Sequence, residues 1–91
     1  MLHYTFDEGL IDIKEIVNPA DTAYQIVVKS EDMRKRLKQV RSYFDENKDY
    51  TDVLFYSHED GSYEVIVRKD MIPAFLMHAF RFQCLKSLQW N

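Results

Sequence analysis

The sequence predicts an α+β fold: two tandem ββα units, in the order ββαββα, forming an antiparallel four-stranded sheet with two helices on one face. Three observations carry this. Thr22-Ala23-Tyr24-Gln25-Ile26-Val27-Val28-Lys29 lines up with Gly61-Ser62-Tyr63-Glu64-Val65-Ile66-Val67-Arg68, and after a one-residue slip Asp32-Met33 falls on Asp70-Met71. Each matched strand is followed by a helix-forming stretch. Each is also preceded by a second strand-like run. One such unit is too small to bury a core, and pairing two of them closes one.

The elements follow in order. Residues 1–8 fit either a short edge strand or a loosely held arm. From Gly9 to Val17 the apolar Ile11, Ile13 and Val17 point one way and Asp12 and Lys14 the other, the pattern of a half-buried strand. Asn18-Pro19-Ala20-Asp21 is a turn, because proline presets φ and Asn and Asp bond back to nearby backbone. Ala23 to Lys29 forms the next strand, with Tyr24, Ile26 and Val28 on one face.

Ser30 is a good helix N-cap, and Glu31 and Asp32 set negative charge against the positive end of the helix. Met33, Leu37, Val40 and Phe44 then make one apolar stripe on a helix reaching about Asn47. Thr51–Ser57 and Tyr63–Arg68 form a hairpin across His58-Glu59-Asp60-Gly61-Ser62. A three-residue loop with Gly61 in the left-handed conformation puts Val53, Phe55, Val65 and Val67 on a common face. A two-residue Asp60-Gly61 turn would pair Val53 with Arg68, so the longer loop is preferred. Leu54, Tyr56 and Ile66 fall on the opposite face, and Tyr56 is free to line a binding surface.

From Met71 to about Gln89 the pattern predicts a second helix with Pro73 in its first turn. It is apolar on two sides. Met71, Phe75, His78, Phe82 and Leu85 make one stripe, the one the repeat assigns to the sheet. Met77, Phe80, Cys84 and Leu88, flanked by Leu76, make another almost opposite, the one composition favours for the sheet because its polar neighbours are only Gln83 and Ser87; the repeat is preferred. A helix on a small domain buries one stripe. The second is therefore expected to mediate homodimerisation, with Leu76, Met77, Phe80, Cys84 and Leu88 at the contact.

Ninety-one residues make a single domain, 1–91, of two half-repeats at about 9–47 and 51–90. A hydrophobic fraction of 46% argues against disorder, and a net charge of −3 disfavours a general nucleic-acid coat. Cys84 is the single cysteine, so no intrachain disulfide can form and a reducing, cytoplasmic location is expected. The first residues lack the basic and apolar runs of a signal peptide, and no apolar stretch approaches the ~20 residues of a membrane span.

Arg34, Lys38 and Arg41 share one stripe of the first helix, an arrangement able to grip phosphates. Yet Glu31–Lys35, Asp32–Arg36 and Arg41–Asp45 are spaced to pair, which marks the stripe as a solvated face. His3, His58 and His78 have no metal-ligand spacing, and Cys84 sits six residues from His78 on a different helix face. No metal, no cofactor and no catalytic constellation is expected. His78 is read as a core histidine with a hydrogen-bond partner, and Cys84 as a small buried hydrophobe.

Gly9-Leu10-Ile11-Asp12, followed by two hairpin-plus-helix units with Arg-Ser-Tyr-Phe near the end of the first helix, is similar to a LAGLIDADG homing endonuclease half. That resemblance implies a sheet presented to DNA and an acidic residue closing a signature helix. Lys14 and Glu15 stand where the final acid and glycine of the motif belong, so it supports no nuclease activity. The function expected from the sequence is a small cytoplasmic non-enzymatic homodimer that binds or regulates another macromolecule. A nucleic-acid-binding module is the alternative, and a small-molecule-binding or enzyme subunit with a site at the dimer interface is a further one.

Overall fold

Apolar alternation and turn chemistry set most of the architecture. The computed structural model describes residues 2–47 and 52–90. The elements are β1 (Leu2–Thr5), β2 (Ile11–Val17), β3 (Asp21–Val28), α1 (Glu31–Glu46), β4 (Val53–Ser57), β5 (Tyr63–Arg68), a 3₁₀ turn (Lys69–Met71), α2 (Ile72–Arg81) and β6 (Ser87–Trp90). The fold is α+β, and among the described residues every strand pair is antiparallel, but the strands number six and form two sheets. A four-stranded sheet runs β2-β3-β5-β4, and a two-stranded ribbon joins β1 to β6.

The β2–β3 turn closes as its residues dictate. Asn18 N–H donates to the Asp21 carbonyl at 2.8 Å and its amide to the Asp21 carboxylate at 3.0 Å, with Pro19 at the bend. In the second hairpin His58 and Ser62 close a three-residue loop, and Gly61 takes φ +88°. Only a residue without Cβ adopts that conformation freely. The resulting register sets Val53 against Val67 and Phe55 against Val65, as the three-residue loop requires. Thr51, the expected start of this hairpin, lies outside the described residues.

Helix α1 begins where expected, with the Ser30 hydroxyl accepting from Met33 N–H at 3.0 Å. It buries Met33, Leu37, Val40 and Phe44. Between α1, α2 and the sheet lies an aromatic core in which Phe75 is 5.0 Å from Tyr24 and 6.3 Å from both Phe44 and Phe55, centre to centre.

The C-terminal third departs from the expected long helix. Helix α2 stops at Arg81, where Gln83 N–H bonds to the Phe80 carbonyl and Cys84 N–H to the Ala79 carbonyl, both at 2.9 Å. These two bonds and the φ of +64° at Gln83 make a Schellman stop. Buried Ala79 and Cys84 supply its usual apolar contact, and the Arg36 guanidinium donates to the Gln83 carbonyl at 3.0 Å. With the chain reversed there, residues 87–90 run back as β6 beside β1, pairing Leu88 with Tyr4 and Trp90 with Leu2.

Candidate functional site

Side-chain alternation gives the four-stranded sheet two unlike faces. The face carrying Tyr24, Ile26, Val65 and Val67 is buried under the helices. On the other face the pairings line up residues across all four strands. Ile16, Ala23, Ile66 and Leu54 make one row, and Lys14, Gln25, Glu64 and Tyr56 the next. Val27 adds a further apolar side chain beside Asp12. Ile16 is 46% exposed, and Val27, Leu54 and Tyr56 are each 47% exposed. Among the described residues nothing packs over this face. It is apolar through the middle, and bordered by Lys14 at one side and Glu64 toward the other.

The expected contact stripe does not exist as a helical face. Leu76 is buried in the core at 3% exposure, Cys84 is buried beyond the end of α2, and Leu88 lies in β6. Only Met77 and Phe80 stand out on α2, at 57% and 45% exposure. The cause is the left-handed turn at Gln83, which breaks the 3.6-residue period on which the stripe depended. Burial pushes the Cys84 thiol up to about 12, so it is an inert neutral side chain.

The basic stripe of α1 is present but largely engaged. Arg34 donates to the Gly61 carbonyl at 2.9 Å and the Tyr63 hydroxyl at 3.2 Å, tying α1 to the β4–β5 loop. Glu31 pairs with Arg34 at 3.7 Å rather than with Lys35. Arg41 bonds to the Ser57 hydroxyl at 3.0 Å and pairs with Asp45, and Asp32 pairs with Arg36 at 2.6 Å. Lys38 is left exposed in solvent.

His78 stacks on Tyr43, ring centres 3.8 Å apart, with Phe44 edge-on to it. Its Nδ1 is buried without a hydrogen-bond partner among the described residues, so the expected partner for this core histidine is not found. Burial, with Arg81 adding to it, holds its pKa below the usual imidazole value. Among the described residues no cluster of His, Cys, Asp or Glu is arranged to hold a metal ion, and no helix is long and apolar enough to cross a membrane.

Of the open face, Leu54, Tyr56 and Ile66 were legible in the sequence as off-core strand residues; Ile16 and Val27 were not, because strand order alone brings them into line. Sequence reasoning also missed a groove beside the β1–β6 ribbon, which Tyr4, Glu15, Tyr24 and Trp90 help to line. The segment from Gly9 forms a turn and then strand β2, whereas the LAGLIDADG resemblance implies a helix there. Compared with family models, curated proteins and solved structures, the chain matches none.

Proposed function

We propose that this protein is a non-enzymatic binding module that works as a homodimer, with the open face of the four-stranded sheet as its self-contact, and engages a further macromolecule in that form. The apolar Ile16–Ala23–Ile66–Leu54 row, exposed at its Ile16 and Leu54 ends, carries the reading. Four strands at ~4.8 Å spacing and inner strands of ~20–25 Å give each copy a face of roughly 400 Å² in projection. Accessible area exceeds projection, so two such faces bury on the order of the 1,000 Å² expected of a stable contact.

A two-fold axis parallel to the strands suits the chemistry. It sets Ile16 over Leu54 and Ala23 over Ile66 of the second copy, apolar against apolar. It also brings Lys14 over Tyr56 and Gln25 over Glu64 of the second copy, so the one cation of that row lies near an anion. A single buried thiol is in keeping with a reducing, cytoplasmic setting. Sedimentation equilibrium tests the reading: wild type as a dimer at tens of micromolar, and Ile16→Lys with Leu54→Lys as a folded monomer, are the expected results. A monomeric wild type rejects it.

We also infer that the sheet arose by duplication of a ββα unit. The matched segments make Gln25 and Glu64 equivalent, and these two residues are also paired across β3 and β5. A two-fold axis through that pair exchanges Tyr24–Val65 with Tyr63–Ile26, which are likewise observed pairs. The two units differ at their helices, since Met33 is buried within α1 and Met71 is half-buried in the 3₁₀ turn.

A further inference from the structure

The β1–β6 ribbon lies beside the helix-bearing face of the sheet, and between them runs a groove of about 400 Å³. That is within the size range of small-molecule sites. One end is built around Glu15, whose carboxylate accepts a 2.5 Å hydrogen bond from the Tyr4 hydroxyl. Tyr24, paired with Glu15 across β2 and β3, presents its buried ring beside them. Burial, with Glu15 adding to it, holds both phenols well above the ordinary tyrosine range, so they remain neutral hydrogen-bonding groups. Trp90, 69% exposed, stands at the rim, while Ile72 and Leu76 line the wall from α2.

The groove has a direction. Lys69 also lines it, and Lys69 N–H bonds to the carbonyl of Ala20, which immediately precedes β3 and lies four residues before Tyr24. At ~3.4 Å per residue the backbone at Lys69 is therefore about 13 Å from the Glu15 end. The carboxylate end and the ammonium end of the groove are separate, with aromatic and aliphatic walls between them. A carboxylate at one end of a groove with aromatic and aliphatic walls is an environment for a cation, attracted by its charge. A cation is repelled from the Lys69 end, which fixes its orientation.

We propose that this groove binds an amphipathic organic cation, its ammonium at Glu15 beside the Tyr4 hydroxyl and its hydrocarbon body along Ile72 and Leu76, within the groove that Trp90 also lines. This site is on the ribbon side of the sheet, away from the proposed dimer face, so its occupancy does not depend on self-association. Glu15 is itself exposed, which limits the affinity to the range of small ligands with one charged contact.

Trp90 is the sole tryptophan of the chain, so its emission, excited where tyrosine and a phenyl ring do not absorb, reports on this groove alone. The test titrates 4-phenylbutylammonium, 5-phenylpentanoate and 4-phenylbutanol against the full chain, up to about 10 mM. The ammonium is expected to change Trp90 emission saturably, and to bind at least about tenfold more tightly than either isostere. Glu15→Gln, which keeps an acceptor for Tyr4, is expected to weaken the ammonium by a similar factor and leave the far-ultraviolet spectrum unchanged. Lys69→Ala should leave ammonium binding intact or tighten it. Equal affinity for the three probes, tighter binding of the carboxylate, no response to Glu15→Gln, or no saturable change overturns the proposal.

Discussion

The stop of helix α2 is the most exacting point of the fold, and substitution at Gln83 tests it. Gln83 holds φ +64° with a side chain, a conformation that costs an L-residue roughly 1–2 kcal/mol. Glycine removes that cost but loses about 0.5–1 kcal/mol more backbone entropy on folding. Gln83→Gly should therefore stabilise the protein by about 0.5–1 kcal/mol, and Tm should rise by about 2–8 °C for a domain of this size. A β-branched side chain fits this region worst, so Gln83→Val should destabilise by at least about 1 kcal/mol. Urea unfolding followed by far-ultraviolet circular dichroism measures both changes with the slope held constant. Were the chain instead helical to Gln89, Gln83→Gly would cost about 1 kcal/mol as a mid-helix glycine. Destabilisation by glycine with tolerance of valine would refute the turn, and with it the placement of β6 against β1.

Three other outcomes follow from packing and charge. Phe75→Ala, at the meeting point of Tyr24, Phe44 and Phe55, should cost about 3–5 kcal/mol in a chemical denaturation, a large part of the ~5–14 kcal/mol expected of such a domain. His78 has a folded pKa below its unfolded value, so the unfolded chain binds the proton first; stability should fall as pH drops through about 6.5, and His78→Phe should flatten that part of the pH–Tm profile. Arg34→Ala should cost about 1–2 kcal/mol by releasing the β4–β5 loop, and a low-salt gel shift with Lys38→Ala added should show no nucleic-acid affinity to lose.

What could be read in advance tracks how local the signal is. Strands β2 to β5 and helix α1 announce themselves because alternation, the Ser30 cap, the Asn18–Asp21 turn and Gly61 all act within a few residues of where they are written. The ribbon had no such mark. Thr5 and Ser87 share a 2.7 Å hydroxyl bond across 82 residues of sequence, and four-residue strands leave too little alternation to recognise. The end of α2 was hidden for a related reason: its left-handed residue is Gln83 rather than glycine, and the apolar pattern runs on through Cys84, Leu85 and Leu88. Those residues look like a helical stripe while serving a turn, the core and a strand. The groove at Tyr4, Glu15 and Trp90 was illegible because the ribbon that forms one wall was.

If two copies meet through the open sheet face, site-directed cross-linking should capture the contact. Facing sheets stand about 10 Å apart, so a bis-maleimide of that reach should join Ile16→Cys on one copy to Leu54→Cys on the other. The native Cys84, buried with its thiol pushed up to about 12, should not compete. An equimolar mixture of the two variants is predicted to give a cross-linked dimer well in excess of either variant alone. Cross-linking no greater than in a denatured control, or a dimer captured instead through Phe80→Cys on α2, would contradict the account.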